Sequence, residues 1–393
     1  MPEIYTKHQH KLPKTFFSKS ACQVVQTLVD NHFEAYLVGG CIRDGLSTVA
    51  AKDHDIVTNA SPVQIKKLFK RSRIIGKRFR IVHVQIQNEM IEVSTFRAQE
   101  SWWHAVLAFW LKKPSYLNNT YGTIETDAWR RDFSANALYY DVTKQTIIDF
   151  TGGYEAIRAK KLCIIGNPIT RFNQDPVRIL RAIRFVAKTQ FSMDKALEDA
   201  ICDKASSIAS VSADRLLLEV VKLFYHGHGD RSLMLLKKYN VLSILYPGYA
   251  KIKNKEQMYM QFLKAALCSS DRRYHQGKNL STGFLLAVLL WPIMFHTLPK
   301  PMHKIRLHEF IKYAKKICTE QRKVVAVTKK LQEIILEIWV MQYQMQTTVS
   351  TKMHNLEQHP RINAAYDFLS IRAQVDESLA NLTLKWHNIL LSV

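Results

Sequence analysis

Long apolar runs are missing from this chain. The longest, TGFLLAVLLWPIMF from Thr282 to Phe295, is shorter than the roughly 20 residues a membrane-spanning helix needs, and it contains Pro292. It reads as a buried helix, and no membrane partner is expected. The opening stretch MPEIYTKHQHKLPKTFFSKS has basic residues but no apolar centre of the kind a secretory signal requires. Clustered cysteines are absent too: Cys22, Cys41, Cys163, Cys202, Cys268 and Cys318 lie scattered, without a Cys-x-x-Cys or the Cys/His spacing of a zinc site. A reducing, cytoplasmic compartment is the expectation. Acidic charge is the largest deficit. Against 56 Lys and Arg stand 33 Asp and Glu, leaving a formal charge of +23. A surplus of that size serves a polyanion, with nucleic acid the first candidate and an anionic membrane surface the second. Between Asp55 and Glu89 there is no acidic residue at all, while Lys66, Lys67, Lys70, Arg71, Arg73, Lys77, Arg78 and Arg80 crowd together. Its simplest reading is a solvated basic face.

What is present divides the chain in two. At 393 residues it exceeds the size of one hydrophobic core, so two or three domains are expected. The first 150 residues alternate helical stretches with short strand signals: FEAYLVGG, HDIVT, RIVHVQI, MIEVSTF, NALYYD and TIIDFTGG. One mixed sheet with flanking helices follows from them. From about Asp175 the strand signals cease. DPVRILRAIRFVAKTQF has a helical period, with Asp175 at the N-cap and Pro176 at the first helical position. Nearly everything after Met258 reads as amphipathic helix, with no internal repeat or low-complexity tract. The fold class is therefore α+β, an N-terminal mixed-sheet domain before a longer all-helical part.

Two stretches carry chemistry together. YLVGGCIRDGL is a strand ending in Gly39 and Gly40 that turns into a helix, leaving backbone N–H groups open to phosphate. AKDHDIVTNA then places Asp53 and Asp55 two apart on the next strand, where period 2 points both to the same side. Carboxylates sharing a face suit Mg²⁺ bridging phosphate oxygens, because hard cations select oxygen ligands. Glu92, flanked by Ile91 and Val93 in MIEVSTF, is either a third metal ligand or the partner of a nearby arginine.

In order and spacing, LVGGCIRDGL, KDHDIVTNASP, IEVSTFR, YGTIETDAWRRDFSANALYYD, IIDFTGG and RFNQDPVRILRAIRFVAK resemble the class II tRNA nucleotidyltransferases and bacterial poly(A) polymerases. The resemblance covers about residues 20 to 245, and IIGKRFRIVHV, residues 74–84, resembles the stretch that marks the poly(A) polymerases within it. It implies a nucleotidyltransferase (polymerase-β-like) head over residues 1–150. A helical neck that recognises the base would follow over 151–212, and a helical body and tail that bind RNA over 213–393. It also implies that Asp53, Asp55 and Glu92 hold two Mg²⁺ ions, and that Gly39, Gly40 and Arg43 contact the triphosphate of ATP while Asp44 orients Arg43. Arg131 and Asp132 would recognise the ribose and phosphates, supported by Asn136. Asp175 and Arg178 would read the Watson–Crick edge of the base, with Arg181 and Arg184 on the same broad helix face, repelling one another unless an anion lies opposite. The activity implied is template-independent addition of AMP to RNA 3′ ends. The alternatives are CCA- or A-addition to tRNA and a non-catalytic RNA-binding protein.

Three residues or stretches depart from the family's pattern. Gln174 replaces the family's usual glutamate, and an amide cannot form the same ion pair with an arginine. His54 replaces an apolar residue between the aspartates and, by alternation, points away from the metals into packing or a hydrogen bond. The stretch SWWHAVLAFWLKKPSYL, residues 101–117, brings Trp102, Trp103 and Trp110 where a polar insertion is usual; packing on the head is the first reading and stacking on RNA bases the second. His226-Gly227-His228-Gly229 has the look of a metal motif but reads as a loop closing a helix. The basic helices after residue 251 suit tracking of an RNA backbone, while Tyr259, Phe262, Tyr274 and Tyr313 interspersed among them read as core.

Overall fold

The computed structural model describes residues 1–48, 53–76, 80–98, 121–252, 256–347 and 354–391. The tryptophan-rich stretch 101–117, and Lys77 and Arg78 of the basic run, lie outside the described residues. The chain forms two compact units: Met1–Thr170 with Phe191–Glu198, and Arg171–Gln190 with Asp199–Val393.

The first unit is built on an eight-stranded sheet. Its strands are β1 (Glu3–Tyr5), β2 (Ala35–Val38), β3 (Asp55–Thr58), β4 (Ser72–Ile75), β5 (Ile81–Ile86), β6 (Glu89–Thr95), β7 (Leu138–Asp141) and β8 (Thr146–Asp149). They lie in the order β1-β8-β7-β2-β3-β6-β5-β4. All neighbours are antiparallel except β3 and β6, which run parallel. Alternation along the strands gives the sheet two unlike faces. On one, Leu37, Ile56, Val82, Val84, Ile91 and Val93 are buried. The helix Pro62–Leu68 packs on β4, β5 and β6 with Ile65 wholly buried, and the helix Lys19–Asp30 packs beside it on β2, β3 and β6. Each such side chain contributes about 1.5–3 kcal/mol through burial. On the other face, Val38, Val57 and Tyr139 pack with Ala128 of the helix Ile124–Arg130 and with Phe96, Ala137 and Ile165. Toward β4 that second face is open: Arg73, Ile75 and Met90 are exposed and His83 is half-buried.

A small parallel pair, β9 (Lys161–Leu162) with β10 (Ser192–Met193), completes this unit. The six strands expected from sequence all form. β1 and β4 join them at the two edges, and neither was expected.

The second unit is helical. The apolar helix Thr282–Thr297 is buried over most of its length, with Pro292 inside it. It packs on the helices Leu307–Gln321 and Lys329–Thr347. A further core gathers Met341, Met345, Ile362, Leu369 and Leu379 around the fully buried Trp386, whose indole N–H donates to the Met345 carbonyl at 3.3 Å. Tyr259 and Phe262 are buried, as expected of core aromatics. No helix among the described residues is long and apolar enough to cross a membrane.

The histidine–glycine loop differs in detail from the expectation. Tyr225 caps the preceding helix, and His228 instead begins the next, Gly229–Lys238. His228 is buried, with Nδ1 2.9 Å from the His226 carbonyl oxygen.

Candidate active site

The carboxylates meet through strand pairing. In the parallel register of β3 and β6, Asp55 lies directly beside Glu92, so two like charges sit one strand spacing apart, about 4.8 Å. Burial first, and the Glu92 carboxylate second, push Asp55 up to about 6, against the opposing pull of Arg131. Asp55 keeps an exposed edge while protein crowds the rest of its carboxylate. Two expectations are corrected here. Asp53 is not on the strand, which begins at Asp55; it stands exposed just before it, where extended pairing has not started. Glu92 does not sit among its apolar neighbours, and among the described residues it pairs with a histidine rather than an arginine. It projects to the open face, and its Oε1 lies 3.1 Å from His83 Nε2.

Among the described residues no group of three His, Cys, Asp or Glu is gathered tightly enough to hold a metal ion. Glu92 is turned to His83, and Asp53 stands outside the ladder. The donor chemistry nevertheless suits a hard divalent cation. Asp55 and Glu92 are oxygen ligands held side by side by the backbone, and their mutual repulsion is what a cation relieves.

His54 accepts a hydrogen bond from the Ser18 N–H at its Nε2, 3.3 Å away, and meets the Phe17 ring edge to face. That is the packing and hydrogen-bonding place expected for it.

Beside the carboxylates lies the glycine turn. Gly39 has φ +79°, in the left-handed region that glycine alone enters without strain, and it caps the short helix Gly40–Leu46. A Cβ there would lie 3.7 Å from the Asn136 carbonyl oxygen and 3.8 Å from Arg131 Nη1. The turn thus brings Gly39 against the WRRDFSAN block. Arg43 is buried; its Nε and Nη2 donate to Asp44 Oδ1 at 2.8 and 2.6 Å, and its Nη1 donates to Asn136 Oδ1 at 2.5 Å. Asp44 therefore orients Arg43, as expected, and Asn136 holds its other side.

Sequence reading missed the group that fixes Arg131. Asp127 is wholly buried and accepts from Arg131 Nε and Nη2 at 3.0 and 2.9 Å, from Arg130 Nε at 3.0 Å, and from the Tyr139 hydroxyl at 2.9 Å. Burial alone raises its carboxyl, but Arg131 and Arg130 outweigh it and hold Asp127 below the ordinary range. Arg131 Nη1 also donates to the Asn136 carbonyl at 3.3 Å. Asp132 is half-buried next to it, its carbonyl accepting from the Ile165 N–H at 3.0 Å. Asp127 gave no signal, because an aspartate in IETDAWRR looks like any solvated helix residue until the helix is packed.

The base-reading candidates belong to the second unit. Pro176, not Asp175, is the N-cap of the helix Val177–Thr189. Asp175 still accepts from the Val177 N–H at 3.3 Å, and both its oxygens accept from Arg215 Nη2, at 3.0 and 3.2 Å. Arg178 Nη1 donates to the Arg171 carbonyl at 2.8 Å and to Gln174 Oε1 at 3.4 Å, so the amide takes part in holding this arginine. Arg184 Nε lies 3.4 Å from the buried Glu219 Oε2, an anion of the kind this arginine-rich face calls for. Arg181 is half-buried on the same helix.

The chain is similar in structure to the solved CCA-adding enzyme of Bacillus stearothermophilus in complex with CTP. The TM-score is 0.67 at 22% identity, over 95% of this chain and 82% of that one. The fold is that of the polymerase-β-like nucleotidyltransferases. Three family profiles match: the Poly A polymerase head domain over residues 35–163, the probable RNA and SrmB-binding site of polymerase A over 190–253, and the polymerase A arginine-rich C-terminus over 307–391. Poly(A) polymerase I of Haemophilus influenzae is 35% identical over 379 residues, 94% of this chain and 84% of that protein. The CCA-adding enzyme of a Geobacillus species is 35% identical over 218 residues, 56% of this chain and 52% of its own. The chain is a nucleotidyltransferase, and it belongs to the bacterial poly(A) polymerases of the class II tRNA nucleotidyltransferase/poly(A) polymerase family.

Proposed function

We propose that this protein adds AMP from ATP to RNA 3′ ends without a template, in the cytoplasm. The RNA 3′-oxygen attacks the α-phosphorus, the bond to the bridging oxygen of the β-phosphate breaks, pyrophosphate departs, and the hydroxyl proton passes to solvent. The observation that carries the reading is the Asp55–Glu92 register beside the arginines that Asp44, Asn136 and Asp127 hold in place. Similarity along nearly the full length to the Haemophilus influenzae poly(A) polymerase I favours RNA polyadenylation. Asp53, Asp55 and Glu92 are assigned to two Mg²⁺ ions. When bound, these would ease deprotonation of the 3′-hydroxyl and neutralise charge on the triphosphate. Gly39 and Gly40 keep the turn narrow enough for phosphate to approach, and Arg43 faces the triphosphate. Arg131 and Asp132 hold the ribose and phosphates. Asp175 and Arg178 hydrogen-bond the adenine edge, with Arg181 and Arg184 supporting that helix face. Residues 1–150 are assigned catalysis, 151–212 base recognition and 213–393 RNA binding.

The test supplies the purified protein with Mg²⁺, each NTP separately, and either generic RNA or a tRNA lacking its 3′ CCA. Long tails from ATP on generic RNA are expected, and CMP incorporation restricted to tRNA would overturn the reading. That second outcome is the alternative, a CCA- or A-adding enzyme, and it is favoured by the 35% identity to the Geobacillus CCA-adding enzyme over its matched part.

A further inference from the structure

We propose that the open face of β4, β5 and β6 is the track along which the 3′-terminal nucleotides of the RNA acceptor reach the carboxylates, with Arg73 on a phosphate and His83 against the terminal nucleotide. The inference rests on the transfer to RNA 3′ ends proposed above, and adds where the acceptor runs.

Strand pairing lays out the track. Asp55 pairs with Glu92, Glu92 with His83, and His83 with Arg73, so four side chains form one row across β3, β6, β5 and β4 on a single face. Three strand spacings make the row about 14 Å long, enough for more than one nucleotide. Two residues further along the same strands, Ile75, Ile81 and Ser94 form a second row on that face. Ile75 in that row, and Met90 on the other side of the first row, are exposed and offer apolar surface for a base, while Arg73 offers charge for a phosphate.

The reverse face of these strands is buried under the helix Pro62–Leu68, and among the described residues Arg73, Ile75 and Met90 stand exposed on the other side. Lys70, Arg71, Arg73 and Arg80 are exposed, and among the described residues none has a carboxylate partner. The sequence from Asp55 to Glu89 supplies no acidic residue to neutralise them. Such a surface is complementary to a polyanion. It ends at the carboxylates where the proposed reaction needs a 3′-hydroxyl, which selects RNA over an acidic protein. The stretch 74–84, singled out by its resemblance to poly(A) polymerases, falls within this region, whereas the glycine turn and the Asp127 cluster do not.

The experiment uses the full chain and an RNA carrying 4-thiouridine at its 3′ terminus, photo-crosslinked with Mg²⁺ and a non-hydrolysable ATP analogue present. Peptide mapping is expected to place the adduct within β4, β5 or β6. In parallel, Arg73→Glu is expected to raise the KM for RNA about tenfold while the KM for ATP stays within about twofold, and Arg73→Lys to restore most of the loss. Adducts confined to other segments, with an unchanged KM for RNA in Arg73→Glu, would overturn the track. A wild-type protein that crosslinks on these strands but transfers no nucleotide would support the track and sink the proposed reaction, so the two failures are told apart.

Discussion

Asp127 shows what a single buried carboxylate does for this site. It holds both Arg130 and Arg131 and takes the Tyr139 hydroxyl as well. Asp127→Ala leaves a largely enclosed guanidinium without its anion and is expected to cost about 3–5 kcal/mol, read as a shift in the urea unfolding midpoint. Because its folded-state value lies below the ordinary one, Asp127 stabilises the fold fully above about pH 4 and loses that contribution as pH falls through the folded value. Asp53→Ala is expected to abolish nucleotide addition while RNA affinity, measured by fluorescence anisotropy, stays close to wild type. Normal activity in that variant would remove Asp53 from the metal site. Activity is expected to survive in His54→Phe, since the imidazole contacts Ser18 and Phe17. At this scale the sequence carried Asp55 and Glu92 clearly, because carboxylates in strand patterns are conspicuous. It could not carry Asp127, His83 or Arg215, whose importance comes from partners distant along the chain.

Two helices take carboxylate caps from residues outside them. Asp149 is buried at the end of β8 and accepts from the Thr151 and Tyr154 N–H groups at 2.9 and 2.8 Å, so it closes the turn into the helix Gly153–Arg158. Asp149→Ala is expected to destabilise the protein by about 1–2 kcal/mol, measured by equilibrium unfolding. Gly153 cannot be varied beside it, since any Cβ would strike the Ser134 carbonyl oxygen. The helix Gly229–Lys238 is capped across the unit by Asp271, which accepts from the Gly229 and Asp230 N–H groups at 2.9 and 3.3 Å. His228 stands just before it, and burial drives its imidazole down to about 4. The unfolded chain therefore binds this proton first, and stability falls as pH drops from about 6.5 to about 4. In His228→Gln that part of the acid sensitivity should vanish, seen as a smaller difference between unfolding midpoints at pH 7 and pH 5. An unaltered difference would mean that His228 does not carry it. Elements of four or more alternating apolar residues were legible from sequence. β1 was not, being three residues long, and β4 was hidden because SRII lies inside a basic run.

For the molecule as a whole, the charge of +23 sets an expectation about salt. If six phosphates are engaged, affinity for a single-stranded RNA should fall about 300-fold between 50 and 200 mM salt, whereas the KM for ATP should change far less. A flat RNA response would argue that the basic surface serves something else. The division into a sheet-bearing part and a helical part was legible because strand patterns end abruptly. The course of the chain between the parts was not, since a two-residue strand such as β10 leaves no periodicity to read. Yet β10 has a consequence during synthesis. The first unit takes its last segment, Phe191–Glu198, from beyond the excursion Arg171–Gln190 into the second. A growing chain halted before Ser192 would have made both carboxylates and the glycine turn while still lacking the partner of β9. On the ribosome, the β9–β10 pair therefore forms only after the chain has made its excursion into the second unit, whereas every strand of the eight-stranded sheet precedes it.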